Sequence, residues 1–396
     1  MIKRKAFQFR LKTNIKVEMS MLKFSGAMRF VWNRALALQL ERLEKGERLL
    51  SYINMAAFLV EWKTQEEALW LNEIPSQPLQ QTLMNLDKAI KDAFNKKSPK
   101  KFPRFKKRGR HDSFRYPQGF KVEYNLIFLP KIGWVRFFKS RDILGIPKNV
   151  TVSRRGKHWF VSIQTEQEVT KPVHSAKTMV GIDVGIKQFA TLSTGEVYKP
   201  VNSLKTLLKK LARAQRSLAR KIRGSHNFRK QKQKVAAIHI KVANVRSDYL
   251  HKVSTSISKN HAMAVLEDLR IANMSKSASG TSEEPGKSVK AKSGLNRSIL
   301  DQGWHTFKNL LQYKFDWLGG ELIVVDPKYT SQKCSSCCHI AKENRVSQSQ
   351  FVCVVCGNAE NADLNAAQNI LAAGHAVLAC GDIEWVTARA QESHAL

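Results

Sequence analysis

The first part of the chain changes from a strand-like to a helical pattern of apolar positions. Residues 2–14 alternate aromatic with basic side chains, as at Phe7 and Phe9, which predicts a strand. From about 17 to 96 apolar residues recur every three or four positions, which predicts helices whose apolar side chains form a core. The sequence IPSQPL (74–79) breaks this pattern before a third helix. A strand followed by a helical module is therefore expected.

Short alternating runs return between residues 114 and 166, with turns every eight to twelve residues. LIFLP and GWVRFF are examples, and such spacing is typical of a small β-barrel or sandwich. If the strand at 2–14 completes a barrel that begins at 114, the helices at 17–96 are an insertion into it.

After a predicted linker at 171–178, the second half alternates strands with helices. TMVGIDVGIKQFATLSTGE (178–196) predicts a strand, a glycine turn and a second strand. Two amphipathic helices follow, separated by RGSHN (223–227), and HAMAVLEDLR (261–270) predicts a buried strand that ends in acidic residues.

The last elements include a polar loop at 273–294, one helix over 296–318 and a strand at 321–326. An alanine-rich helix is expected after Asp363 and is expected to end at Gly374. This alternation predicts an α/β domain in the second half, and the whole chain an α+β multidomain protein.

Charge suggests the kind of partner. The 396 residues include 67 Lys and Arg against 32 Asp and Glu, a net charge of +35. Such an excess favours a polyanionic partner, with nucleic acid first, an anionic membrane surface second and simple solubility as the remaining explanation. No run reaches the roughly 20 apolar residues that cross a bilayer, and MIKRKAFQFRLKTN lacks a signal-peptide pattern. The cytosol is therefore expected, with no membrane partner.

Two stretches concentrate the positive charge. Residues 95–110 carry nine basic residues with phenylalanines between them, which suits phosphate contact and base stacking, although a solvated linker is the alternative. Residues 197–247 carry fifteen Lys or Arg and no acid, which predicts a basic helix face. The candidate nucleic-acid contacts are Lys101, Phe102, Arg104, Phe105, Lys106, Lys107, Arg108, Arg213, Arg216 and Arg220.

Five of the six cysteines lie between residues 334 and 356. Two CxxC pairs with 15 residues between them predict one structural, four-coordinate zinc site, for which a redox dithiol is the weaker alternative. Cys338 follows the first pair where glycine would be easier, and it or His339 could compete as a ligand; Cys380 is expected to be an inert thiol. The predicted zinc ligands are Cys334, Cys337, Cys353 and Cys356.

Three acidic residues have separate structural explanations. Asp183 could be a buried hydrogen-bonding residue, Glu267 an exposed strand end, and Asp363 a first-turn helix acid. Together, on a first strand, a later strand and a late helix, they match the way an RNase H-like sheet assembles a two-Mg²⁺ site for phosphodiester cleavage. Asp268 and Asp326 are nearby alternatives.

The chain resembles the TnpB (OrfB) family of insertion-sequence proteins, relatives of type V CRISPR effectors, over nearly its whole length. The segments that carry the resemblance include GAMRFVWN (26–33), LWLNEIPSQPLQQTLMNLDKAIKDAF (69–94), KFPRFKKR (101–108), GIDVGIKQFATLS (181–193), LEDLR (266–270), LNRSILDQGW (295–304), YTSQKCSSC (329–337) and NADLNAAQNI (361–370). Two departures are Cys338 in place of a glycine and a short tail after GHAVLACGD.

The resemblance implies an Mg²⁺-dependent, RNA-guided DNA endonuclease of a transposable element. Its triad would be Asp183, Glu267 and Asp363, and its partners a guide RNA from the transposon end and double-stranded target DNA. A short motif beside the target would be read by protein, and one protein per RNA is favoured, in the bacterial cytoplasm at the nucleoid. The candidate residues for reading that motif are Gln77, Gln80 and Gln81.

The resemblance also implies an architecture. A β-barrel wedge with an inserted helical module is expected to precede a RuvC/RNase H-like nuclease domain with a zinc-ribbon insertion. The expected ranges are 1–16 and 114–170 for the wedge, 17–113 for the helical recognition module with its basic linker, 171–326 and 361–396 for the nuclease domain, and 327–360 for the zinc module. A nuclease-silent RNA-guided regulator and a strand-transfer transposase on the same scaffold are the alternative functions.

Overall fold

The computed structural model describes residues 1–170 and 172–379, and the chain divides into two compact units, Met1–Thr170 and Lys171–Leu396. The expectations for Cys380 and for the tail to residue 396 lie outside the described residues. Within the described ranges, no helix has the length and apolar character that spanning a membrane requires.

Seven antiparallel strands form one sheet in the first unit. Their order across the sheet is β2-β6-β7-β1-β5-β4-β3. The strands are β1 (Ile2–Lys12), β2 (Ser113–Tyr116), β3 (Lys121–Glu123), β4 (Leu126–Leu129), β5 (Gly133–Phe137), β6 (Ile146–Arg155) and β7 (His158–Glu168). Strand β1 pairs with β7 from Ile2 opposite Glu168 onward and with β5 at Leu11 opposite Phe137. It therefore lies inside the sheet rather than at an edge.

The helices of the first unit come between β1 and β2. They are α1 (Ile15–Glu44), α2 (Tyr52–Trp62), a 3-10 helix (Glu66–Glu73) and α3 (Ser76–Phe94). The Asn14 side chain accepts a hydrogen bond from the Val17 amide and so caps α1. Leu79, Leu83 and Leu86 of α3 are fully buried in a core shared with the sheet. The helical period predicted for this region is confirmed.

The second unit is built on a five-stranded mixed sheet. Its order is β10-β9-β8-β11-β12, and β11 runs parallel to both of its neighbours. The strands are β8 (Met179–Val184), β9 (Ala190–Leu192), β10 (Val197–Tyr198), β11 (Met263–Glu267) and β12 (Glu321–Val325). The helices are α4 (Ser203–Ala219), α5 (His226–Asn260), α6 (Ile271–Met274), α7 (Val289–Gln302), α8 (Trp304–Leu318) and α9 (Ala362–Ala379).

Helices cover both faces of this sheet. Ala264 and Leu266 of β11 share a core with α5 and α8, whereas Val265 between them packs with Ile370 of α9. Neighbouring residues of a strand point to opposite faces, so α9 lies on one face and the α5–α8 layer on the other. Between β12 and α9 the cysteine module contains a two-stranded ribbon, β13 (Gln350–Val352) and β14 (Ala359–Asn361).

Three helix boundaries differ from those predicted, the first being the start of α7 at Val289, which lies inside the loop expected over 273–294. The single helix expected over 296–318 is two helices, α7 and α8, because Gly303 between them has a φ of +75°. The last helix does not end at Gly374 but continues to Ala379. A Cβ at Gly374 would lie 2.4 Å from Cγ2 of Val265, so this glycine allows α9 to approach β11 instead of ending the helix.

Candidate active site and metal centre

Three acidic side chains converge at the carboxyl end of the parallel strands of the second unit. Ile182 of β8 pairs with Leu266 of β11, so the next residues, Asp183 and Glu267, lie on neighbouring strands at the same level. Asp363 is the second residue of α9. All three line one cavity of about 420 Å³. Strands β8 and β11 and helix α9 therefore bring the three predicted acids to one cavity.

Burial raises the proton affinity of all three carboxyl groups. Burial, followed by the negative charges of Glu267 and Asp363, raises the pKa of Asp183 to about 7, with Arg345 acting in the opposite direction. Burial also raises the pKa of Glu267 and of Asp363. A cluster that repels its own charges in a partly dehydrated cavity is stabilised by a cation, and carboxylate oxygens are the ligands that Mg²⁺ prefers. The residues present fit such an ion.

Two side chains that the sequence did not single out contact this cluster. The hydroxyl of Thr330 donates to Oε1 of Glu267 at 2.5 Å, and a guanidinium nitrogen of Arg345 lies 3.8 Å from Oδ1 of Asp363. Thr330 belongs to the quoted segment YTSQKCSSC, but its role depends on a contact 63 residues away in the chain.

The alternative acids lie outside the cavity and have other partners. Asp268 is 3.0 Å from Nζ of Lys308, and Asp326 accepts a hydrogen bond from the amide of Lys328. The two acids are both more exposed than Asp363.

The four predicted zinc ligands form one cluster. Their sulfur atoms all lie within 4.8 Å of one another, with 3.7 Å between Cys334 and Cys356 and 3.5 Å between Cys337 and Cys353. A tetrahedron with Zn–S bonds of about 2.3 Å has edges of about 3.8 Å, so the thiols fit a tetrahedral metal. The carboxylate oxygens of Asp183, Glu267 and Asp363 do not form such a group, with all ligand atoms within 4.8 Å of one another, among the described residues.

Cys338 is not a member of this cluster, and neither is His339. Cys338 has a φ of +63°, and Gly357, which follows the second cysteine pair, has a φ of +72°. Each residue donates its amide to the carbonyl of the first cysteine of its pair, at 3.0 Å. Cys338 thus adopts the turn geometry that glycine adopts in the second knuckle.

Hydrogen bonds join the first cysteine knuckle to the helix that carries Asp363. The Asn365 side chain accepts from the amide of Ser335 at 2.9 Å and donates to the carbonyl of Lys333 at 2.8 Å. Asn369, one turn later, donates to the carbonyls of Lys333 and Thr330 at 2.7 and 3.0 Å. Both asparagines are buried. The sequence signal for this contact is their spacing of four residues in an alanine-rich helix, which the CxxC pattern does not include.

The predicted nucleic-acid contacts fall in both units. Arg213 and Arg216 are exposed on α4 in the second unit, and Arg220, the C-cap residue of that helix, is also exposed. In the first unit, Phe102 is partly buried with its ring 6.0 Å from that of Phe94, and the other predicted contacts are exposed: Lys101, Arg104, Phe105, Lys106, Lys107 and Arg108. Gln80 is exposed on α3, and Gln77 and Gln81 are partly buried there.

Arg104 and Lys106 of the basic stretch 95–110 contact α1 through the side chains of Trp32 and Asn33. Asn33 accepts from the Lys106 amide at 2.7 Å and donates to the Lys106 carbonyl at 3.0 Å. The Trp32 ring nitrogen donates to the carbonyl of Arg104, and the ammonium of Lys106 lies 3.8 Å from the centre of that ring. Lys106 therefore has a partner within its own unit.

Three family models match the chain. Residues 162–278 match the OrfB_IS605 model, described as a probable transposase, and residues 304–370 match a Cas12f1-like TNB domain. Residues 1–48 match a model described as a helix-turn-helix domain, although here they form β1 and one long helix, α1. The second match includes the cysteine cluster and the first turns of α9.

Two extensive sequence matches are to bacterial proteins. The InsQ protein of Escherichia coli (strain K12), named for RNA-guided DNA endonuclease activity, is 56% identical over 380 residues, which cover 96% of this chain and 94% of that protein. A protein of Streptomyces pristinaespiralis with the same activity in its name is 35% identical over 393 residues, 96% of this chain and 91% of its own. A solved Cas12f1–sgRNA–target DNA complex aligns with 93% of this chain and 99% of its own, at 17% identity and a TM-score of 0.32, which is too loose to assign domains.

Proposed function

The chain belongs to the TnpB (OrfB) family, and from this premise we propose that it is an RNA-guided DNA endonuclease of a transposable element that hydrolyses phosphodiester bonds. The observation that carries the proposal is the convergence of Asp183, Glu267 and Asp363 on one cavity. Membership rests on 56% identity to a relative across nearly the full length of both chains. The relatives' names support the activity, and the cavity supports the chemistry.

The three carboxylates would bind two Mg²⁺ ions, which when bound supply an activated water and stabilise the leaving oxygen. The protein's own part is to position the carboxylates on β8, β11 and α9 and to limit access of bulk water to them. Asp183, Glu267 and Asp363 are the residues that would hold the ions, since all three line the same cavity. Arg345, near Asp363, adds a positive charge at the wall of the cavity where a phosphate would enter.

One structural zinc is proposed for the four cysteines, because all four coordination positions are taken by protein thiols. The bonds of Asn365 and Asn369 to Ser335 and Lys333, at the first knuckle, support a role for this zinc in fixing α9. The metal would then act on catalysis through the position of Asp363, not through chemistry of its own.

The domain assignment follows the same premise. Residues 171–326 and 361–396 are assigned to the RuvC-like nuclease domain and 327–360 to its zinc module. Residues 1–16 and 114–170 are assigned to the wedge barrel, with 17–113 as the inserted helical recognition module. The pairing of β1 with β7 supports treating those helices as an insertion.

The partners are a guide RNA from the transposon end and double-stranded target DNA, bound by one protein per RNA in the bacterial cytoplasm. The net charge of +35 and the exposed arginines of α4 support contact with phosphates. The exposed residues between 101 and 108 are proposed as further contacts, and Gln77, Gln80 and Gln81 as readers of the target-adjacent motif.

The test compares Asp183→Ala with Asp268→Ala in purified complexes of protein and guide RNA. Asp183→Ala is expected to abolish Mg²⁺-dependent cleavage of target DNA and to leave RNA binding near normal, because the side chain contributes to metal binding. Asp268→Ala removes an exposed acid of the same region that lies outside the cavity, and it should cut as the wild type does. Cleavage by Asp183→Ala would show that the catalytic assignment is wrong.

The same assay separates the alternatives. A wild-type complex that binds target DNA without cutting it would indicate a nuclease-silent regulator. Products in which DNA strands are joined would indicate a strand-transfer transposase. The presence of all three acids weighs against the regulator, since a silent protein has no need to keep them.

A further inference from the structure

Thr330 occupies a sharp bend between β12 and the first cysteine knuckle. The residue before it, Tyr329, has a φ of +62°, and its carbonyl accepts from the amides of Gln332 and Lys333 at 2.9 Å each. Thr330 itself is 8% exposed. A left-handed tyrosine costs on the order of 1 kcal/mol, so this bend is fixed by its surroundings.

The side chain and the backbone of Thr330 contact two different parts of the site. Its hydroxyl lies 2.5 Å from Oε1 of Glu267 and 3.2 Å from the carbonyl oxygen of Pro327. Its carbonyl accepts from the side chain of Asn369, which is 5% exposed on α9, six residues after Asp363. Thr330 therefore links the strand that carries one acid to the helix that carries another.

We propose that Thr330 is a positioning residue that orients the Glu267 carboxylate and sets its separation from the helix bearing Asp363. The bond is made to Oε1 of Glu267, and the second carboxylate oxygen, Oε2, is one that could bind a cation. A hydroxyl that donates to a metal-binding carboxylate restricts its rotation, and such outer contacts typically change metal affinity or activity by about 10–100-fold. The inference rests on the proposed function, since it assigns a supporting residue to the same site.

The test uses Thr330→Val, which keeps the branched shape and removes the hydroxyl. Mn²⁺ binding to the zinc-loaded full chain, measured by electron paramagnetic resonance of free Mn²⁺, should weaken about 10-fold or more. In the guide-RNA complex, the Mg²⁺ concentration for half-maximal cleavage should rise in parallel. Thr330→Ser, which keeps the hydroxyl, should restore most of both.

Thr82→Val is the matched control. Thr82 is 5% exposed in the first unit, and its hydroxyl donates to the carbonyl of Pro78 at 2.9 Å. The substitution removes a buried hydroxyl that touches no carboxylate, so Mn²⁺ binding and the Mg²⁺ dependence should not change.

Two results would overturn the inference: wild-type Mn²⁺ affinity in Thr330→Val, or equal impairment of Thr330→Ser and Thr330→Val. If Thr330→Val does not fold, Asn369→Leu approaches the link from the helix side. It should also weaken Mn²⁺ binding, and unchanged binding would again overturn the inference. The wild type could bind Mn²⁺ more tightly than Thr330→Val and yet cut no DNA. That result would contradict the proposed function and still support the positioning role.

Discussion

Gly181 of β8 lies so close to α9 that a Cβ on it would be 2.1 Å from the carbonyl oxygen of Ala367. The same Cβ would be 2.7 Å from the amide nitrogen of Leu371. Strand and helix therefore meet backbone to backbone. Because Asp183 follows Gly181 by two residues and Asp363 precedes Ala367 by four, this approach sets the separation of the two acids.

Substitution of Gly181 by alanine should push α9 away from β8. We expect cleavage to fall at least about 100-fold, since small displacements of reacting groups have such effects, and stability to fall by about 1–3 kcal/mol from overpacking. Single-turnover cleavage and thermal unfolding measure the two effects.

Gly294→Ala serves as the control for this prediction. A Cβ at Gly294 would meet no atom within 4 Å, and the residue lies inside α7, where alanine is favoured by up to about 1 kcal/mol. This variant should cut normally. Normal cutting by Gly181→Ala as well would show that the close approach is dispensable.

Helices and strands could be predicted from the local sequence, but the roles of two glycines could not. Local periodicity was enough to predict β1, β8, β11 and the helices of the first unit, because alternation and the helical period are properties of neighbouring residues. Gly374 resembles a helix end in sequence, and the contact with Val265 that gives it another role comes from a distant strand. Gly303 resembles an interior residue, although it separates two helices.

The candidate site divides in the same way. The three acids and four cysteines could be proposed because their residue types and order carry chemical information. Thr330 and Arg345 could not, because neither is unusual in its local sequence and each gains a role from a partner brought near by the fold.

The raised pKa of Asp183 predicts a dependence of stability on pH. The group titrates near pH 7 in the folded protein and near 3.9 in an unfolded chain, so the folded state binds the extra proton between these values. Stability should therefore fall as pH rises from about 4 to about 7. Asp183→Asn should raise the Tm by several degrees at pH 8 and by little at pH 4, measured without Mg²⁺.

Asp268→Asn provides the comparison, because Asp268 is exposed and lies 3.0 Å from Lys308. It should give no such gain at pH 8. If Asp183→Asn changed the Tm equally at both pH values, the charged Asp183 carboxylate would not be what destabilises the folded protein at pH 8. Added Mg²⁺ should stabilise the wild type more than Asp183→Asn, since binding relieves the same repulsion.

Loss of the proposed zinc should impair cleavage even when Mg²⁺ is in excess. Cys353→Ser removes a buried sulfur of the cluster, and zinc content, measured by mass spectrometry, should fall from about one ion per chain toward none. Cleavage should fall with it because Asn365 connects the first knuckle to α9. A strong zinc chelator should have the same effect on the wild type.

Cys338→Gly distinguishes a ligand from a neighbour. Cys338 lies outside the cluster with a φ of +63°, where glycine is unstrained. The variant should keep its zinc and its activity and gain up to about 1 kcal/mol of stability. Loss of zinc from Cys338→Gly would identify Cys338 as a ligand.

Lys106 and Lys107 are adjacent, and the structure assigns them different surroundings. Both residues are exposed, but the ammonium of Lys106 lies over the Trp32 ring. A plot of log affinity for guide RNA against log salt concentration falls with salt. Lys107→Gln should make this fall less steep by about 1, as expected for one lost phosphate contact.

Lys106→Gln should leave that slope unchanged and lower the Tm, since a cation–π contact contributes about 0.5–2 kcal/mol. Binding titrations between about 50 and 200 mM salt, the range over which phosphate contacts weaken, measure the slope. Equal slopes for Lys107→Gln and the wild type would contradict a phosphate contact at Lys107, and a lowered slope for Lys106→Gln would show that its ammonium leaves the ring to bind RNA.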